Sequence, residues 1–245
     1  MRLKVISCEV LTREMQAAAA RSHNQIDLEF LPMSLHDEER SVLRGKIQNI
    51  IDGADASRHD SVVLGYGLCG NSVAGLQARE IPLVVPRAHD CISIFFGNAA
   101  GCQDFYDAHR GAIYRTSGWL EHRPAAGKET AAMRLGFDRR YEELAARYGA
   151  DNARQILDLL GPAAHRCSSL VYIETGAEPD DRFERMATQE ADEHHWPFQK
   201  IRGDMGLIQR LIDGPWSDSE FLVVQPGQGV FATYDERVIS SNPAR

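Results

Sequence analysis

The chain has 245 residues and a formal net charge of −8 at pH 7. That balance excludes a surface built for duplex DNA or an anionic membrane, since both reward clustered Lys and Arg. With 43% hydrophobic and 25% charged residues, the composition suits a globular protein with one large core or two small ones.

In chain order, strand signals stand at residues 2–7 (RLKVIS), 26–32 (IDLEFLP), 61–65 (SVVLG) and 81–86 (IPLVVP). Helical patterns separate the first three, LTREMQAAAARS and DEERSVLRGKIQNIID, with apolar residues at three- and four-residue steps. GAIYRTSGW reads as a further strand and loop, within a stretch from Asn98 to Gly161 rich in helix formers, and the loop from His122 to Lys128 is the linker candidate. SSLVYIETG, PFQKIRG and EFLVVQPGQG then read as strands, with RFERMATQEADEHH and GLIQRLIDG as the helices between them. Short apolar strands alternating with helices predict an α/β fold with doubly wound, mainly parallel sheets. YIETG aligns with VISCE and VVQPGQG with VLGYGLCG. That points to an internal duplication of two Rossmann-like halves joined by a helical connection. The halves would be residues 1–122 and 123–245, with one continuous domain as the alternative.

The N-terminus MRLKVISCEVLTREMQ has a basic start but neither a sustained apolar core nor a small-residue cleavage site, so no secretory signal is read there. No apolar run approaches the roughly 20 residues that span a bilayer. The expectation is a cytoplasmic protein with no membrane or nucleic-acid partner. Its five cysteines would then stay reduced, as ligands, nucleophiles or core fillers.

Soft ligands gather at three strand ends: Cys8 in VISCEV, Cys69 in VVLGYGLCGN, and His89 with Cys91 in PLVVPRAHDC. In a parallel sheet these ends converge on the crevice where ligands bind. Gly65, Gly67 and Gly70 allow tight turning around Cys69. Asn71 would cap a helix through NSVAGL, lowering the Cys69 pKa at the helix's positive end. The same glycines fit G-x-G-x-x-G spacing, with Asp90 near the place of a ribose-binding acid, but metal ligation explains HDC better. An H-x-C step presents nitrogen and sulfur to one ion, zinc by default, and Cys8 with Cys69 completes four ligands.

Other strand-end residues would furnish a small-molecule pocket: Glu174 as a general base beside Thr175, and Asp204 and Gln225 as substrate contacts. Tyr66 and Trp119 offer aromatic faces for a methylated ammonium group, and Arg87 a bidentate contact for a carboxylate or phosphate. Cys102 and Cys167 read as packing residues. His165 with Cys167 precedes its strand and so falls on the opposite face. His194 and His195 lack the spacing that puts two imidazoles on one helical face.

A first strand ending in Cys, then GYGLCGN, PRAHDC, a T-x-GW segment and a YIETG strand together resemble a widespread bacterial and archaeal family of unknown function. The resemblance covers nearly the whole chain. It implies a setting beside corrinoid-dependent methyltransferases of the methylamine type, corrinoid-binding proteins and their reductive activators. Zinc methyltransferases that move a methyl group from a corrinoid to a thiol are similar in using an H-x-C step plus a distant Cys. By that likeness His89, Cys91 and either Cys69 or Cys8 would hold zinc. Two other readings stand beside this one. In the first, Cys69 is a nucleophile with His89 as its base. In the second, the chain is a non-catalytic module binding a ligand, a corrinoid protein or a methyltransferase partner.

Overall fold

The computed structural model describes residues 1–97, 105, 106, 109, 111–123, 148, 149, 152, 169–233 and 235–243. Cys102, His165, Cys167, the linker candidate beyond residue 123 and most of the helix-forming stretch lie outside them.

The apolar runs form strands as their composition dictates. β1 (Arg2–Cys8), β2 (Gln25–Leu31), β3 (Ser61–Gly65) and β4 (Leu83–Pro86) are parallel, and β8 (Phe221–Val224) closes the sheet antiparallel to β4, in the order β2-β1-β3-β4-β8. β3 and β4 are buried at every position, as expected of strands covered on both faces. α1 (Thr12–Arg21) and α2 (Arg40–Asp52) make the crossovers, burying Met15 and Ala18, and Leu43, Ile47 and Ile51. The chain moves from β1 outward to β2, then back past β1 to β3. Strand order therefore reverses between β1 and β3, at the position that open α/β sheets use for ligands.

A second, all-parallel sheet has the order β5-β6-β7, from β5 (Ala112–Arg115), β6 (Ser169–Glu174) and β7 (Phe198–Arg202). Two-residue alternation along β6 sorts its side chains. Val171 and Ile173 enter the main core with Leu207, Ile208, Leu211 and Ile212 of α6 (Gly206–Asp213). Leu170 and Tyr172 face a smaller core with Phe183, Ala187 and Ala191 of α5 (Arg182–Glu193). β5 precedes residue 122 and pairs with β6, while β8 follows it and pairs with β4. Both halves of the chain thus contribute strands to both sheets. The duplication needed VVQPGQG to stand in the second sheet as VVLGYGLCG stands in the first. β8 lies in the first sheet and runs the other way, so the strand order gives that duplication no support.

The chain ends in a hairpin, β9 (Gln228–Ala232) with β10 (Ile239–Pro243). Arg87 holds it, and this is where that residue's charge goes. Its guanidinium donates to the Asp218 carboxylate and carbonyl, each at 2.7 Å, to the Arg237 carbonyl at 3.1 Å, and to the Ile239 carbonyl. The side chain is only 7% exposed, so no arm of the fork is left for a substrate. Arg87→Met is expected to cost about 2 kcal/mol, the scale of lost bonds to a charged group. It should also make residues 226–243 the first point of cleavage in limited proteolysis. An unchanged unfolding midpoint and cleavage pattern would refute this role.

Among the described residues no helix is long and apolar enough to cross a membrane.

Candidate functional site

Two loops meet where the first sheet's strand order reverses. The Leu68 and Cys69 amides donate to the Ala88 and His89 carbonyls, both at 2.8 Å, zipping GYGLCGN onto PRAHDC. Gly67 permits this contact, because a Cβ there would stand 2.6 Å from the Asp90 nitrogen and 2.9 Å from the Ala88 oxygen. Cys69 is left at φ +46°, followed by Asn71 at +71°. Non-glycine residues in that region carry roughly 1 kcal/mol or more of strain each and cluster at functional sites. Residues 70–75 run as turns rather than the expected helix, because these left-handed residues cannot start one. The loop that carries Cys69 therefore starts no helix of its own.

Cys8 ends β1 at 3% exposure, Cys69 follows β3, and Cys91 opens the short helix α3 (Cys91–Phe95). All three are free thiols. Asp90 caps α3, accepting from the Ser93 amide at 2.8 Å and the Ser93 hydroxyl at 3.0 Å. Its place in HDC is thus explained by capping and by neither a ribose nor a ligand's orientation.

Burial pushes the Cys8 and Cys69 thiols up to about 12 and the Cys91 thiol well above its usual value. Cys8 raises both of the others, and Cys69 raises Cys91. The three therefore lie within electrostatic reach of one another. Opposing this in part, nearby backbone N–H groups lower the values, that of Val10 for Cys8, those of Gly67 and Cys91 for Cys69, and its own for Cys91. An amide close to a sulfur favours its anionic form. Tyr66 lies beside the thiols, 1% exposed, and its hydroxyl has no hydrogen-bond partner among the described residues. Burial first, then Cys8, Cys69 and Glu9, hold that phenol far from ionisation.

One imidazole here escaped sequence reading. His36 lies in the 3-10 turn after β2, its ring 6.0 Å from the Tyr66 ring. Desolvation lowers its pKa, which keeps the ring neutral at pH 7. Its position just past a parallel strand was the available signal. His89, by contrast, is exposed, and its contribution to the loop junction is its carbonyl.

The remaining expected residues are dispersed. Glu174 pairs with Lys200 at 2.7 Å. One face of the Trp119 ring is covered by the Arg115 guanidinium at 3.9 Å, itself paired to Glu190 at 2.6 Å, so a cation already occupies that face. Asp204 is exposed and turned to its own loop, accepting from the Gly206 amide at 2.7 Å, while its amide donates to the Phe95 carbonyl at the end of α3. Gln225 follows β8, and because β8 is antiparallel, it lies at the opposite edge of the sheet from the thiols. His194 closes α5 and stacks on Trp196 at 4.3 Å.

Three soft sulfurs with amides nearby are the right chemistry for a thiophilic ion. As the side chains stand, no group of three or more His, Cys, Asp or Glu among the described residues is arranged to hold a metal. No curated protein and no solved structure matches the chain. One family model does match, across well over half the chain and both zipped loops, though not Cys8. The chain thus belongs to the family described as Protein of unknown function (DUF1638), matched over residues 30–212.

Proposed function

We propose that Cys8, Cys69 and Cys91 bind a thiophilic metal ion, zinc first, and that the protein acts in methyl transfer to a thiol or assists an enzyme that does so. The observation carrying this is the convergence of three free thiols on the zipped loops where the strand order reverses. Left to themselves the thiols stay protonated at neutral pH, because each anion would be largely desolvated and, at Cys69 and Cys91, repelled by its neighbours. A bound cation would supply the charge that offsets this repulsion and would keep an added acceptor thiol deprotonated. Binding has to draw the sulfurs inward from where they stand. Tyr66 would meet the ionised cluster with a hydroxyl free to donate, and the left-handed Cys69 backbone would hold that sulfur over the junction of the two loops. The corrinoid-linked, methylamine one-carbon setting rests on the family resemblance, and reduced thiols suit a cytoplasmic location.

Cys69 as a free nucleophile with His89 as base is less well supported. A thiol with a raised pKa is a poor nucleophile at neutral pH, and the His89 ring is exposed.

The test is metal analysis of protein purified without added zinc, followed by zinc and cobalt titration. The wild type should take up one ion, with thiolate-to-cobalt charge-transfer absorption. Cys69→Ser and Cys91→Ser should each weaken binding by about a hundredfold or more, beyond the range seen for residues behind the ligands. A wild type that arrives metal-free and takes up none overturns the proposal.

A further inference from the structure

Residues 9–14, leaving the thiol cluster at the end of β1, make a run of contacts with the second sheet. Glu9 Oε2 stands 3.5 Å from His122 Nδ1. The Val10 carbonyl meets Gly118 of the short helix α4 (Ser117–Glu121). Arg13 donates to Glu121 at 2.7 and 3.1 Å. Glu14 Oε1 accepts from Thr175 Oγ1 at 2.8 Å, just past the end of β6. Glu14 differs from the others in being wholly buried, with an Oε2 that has no hydrogen-bond partner among the described residues. The proposed metal chemistry uses neither Glu14 nor Thr175.

The Thr175 hydroxyl has one proton and two carboxyl neighbours, Glu14 Oε1 at 2.8 Å and Glu178 Oε1 at 3.2 Å. Glu178 accepts from the Thr175 amide at 2.9 Å and the Gly176 amide at 2.7 Å. With Glu14 protonated, its O–H can donate to Thr175 Oγ1 while Thr175 donates to Glu178, and both bonds are made. With Glu14 ionised, the single hydroxyl proton serves one of the two, Glu178 keeps its two amide donors in either case, and the buried Glu14 Oε2 is left charged with no partner among the described residues. A buried charge left unpaired is costly.

We propose that Glu14 and Thr175 form a proton-sensitive latch joining the first turn of α1 to the end of β6, closed when Glu14 carries its proton and loosened when it ionises. Burial sets the working range by pushing the Glu14 carboxyl up to about 7, and Glu178 adds to the rise. The Thr175 hydroxyl, Glu14's own amide and Arg13 oppose it. From α6, packed on α1, the reaching side chain is the uncharged Gln209, bonded to the Ala18 carbonyl at 3.2 Å. From β6 the buried Tyr172 phenol, pushed up by burial and then by Glu178, Glu174, Glu184 and Glu14, faces the same junction, and Glu9, His122 and Glu121 are further charged and titratable groups there among the described residues.

Hydrogen–deuterium exchange of the full chain tests this without any metal, so its outcome is independent of what the thiols bind. Once the chemical pH dependence of exchange is divided out, protection of residues 115–121 and 173–178 should fall about tenfold between pH 6 and 8 in the wild type. Glu14→Gln, which cannot ionise, should stay level. Thr175→Val should exchange fast at both pH values. Equal pH dependence in wild type and Glu14→Gln overturns the latch, as does full protection of Thr175→Val at pH 6.

Discussion

Replacing Gly118 by alanine is expected to lower stability by about 4 kcal/mol, at the upper end for a single substitution. A Cβ at this position would fall far inside contact distance of the Val10 carbonyl oxygen, with the Val10 carbon at 2.7 Å. The obstacle is backbone, so no rotamer change relieves it. Either α4 moves away from residues 9–11, breaking the Arg13–Glu121 bonds, or the end of β1 moves and takes Cys8 with it. Gly45 is the control. It lies exposed in α2 with nothing within 4 Å of a built Cβ, so Gly45→Ala should stabilise by about 0.5–1 kcal/mol through helix propensity. Denaturant unfolding of the two variants measures both signs. A Gly118→Ala midpoint matching that of the wild type would mean that the sheets are not in contact through this residue.

Much of the first sheet was legible because buried parallel strands are continuous apolar runs, and SVVLG and PLVVP state this directly. Their ends, and so the grouping of Cys8, Cys69 and Cys91, follow from alternation of strand and helix. What local pattern does not carry is direction. EFLVVQ reads the same whether it runs with or against its neighbours, so Gln225 was placed at the wrong edge. Nor does pattern show what already occupies a side chain. Arg87 and Trp119 looked available in sequence, but Arg87 is taken up by Asp218, distant in the chain, and Trp119 is covered by nearby Arg115, which the distant Glu190 holds in place. Glu14 escaped notice for the opposite reason. An acid in the first turn of TREMQAAAAR is ordinary and favoured by the helix dipole. What marks it out is its contact with Thr175, just past the end of β6 and far along the chain.

Glu14 also sets the second large expectation, a stability that declines as pH rises toward neutrality. In the unfolded chain the carboxyl titrates near its ordinary value of 4.5, whereas in the folded protein burial holds it up to about 7. Below the lower value both states carry the proton and Glu14 contributes no difference. Between the two values the unfolded chain has released its proton and the folded protein has not, so each step up in pH favours unfolding. Above about 7 both are ionised and the loss is complete. A gap of this size is worth about 3 kcal/mol. Glu14→Gln removes the titrating group, so its advantage over the wild type should grow by that amount between pH 4.5 and 8, as measured by urea midpoints. Asp235, held down to about 2 by Arg237, loses its contribution as pH falls through the acid range and leaves this window clear. Parallel pH profiles for wild type and Glu14→Gln would show that the carboxyl is solvated, and the junction of the two sheets would then be open to water at the point where residues 9–14 cross it.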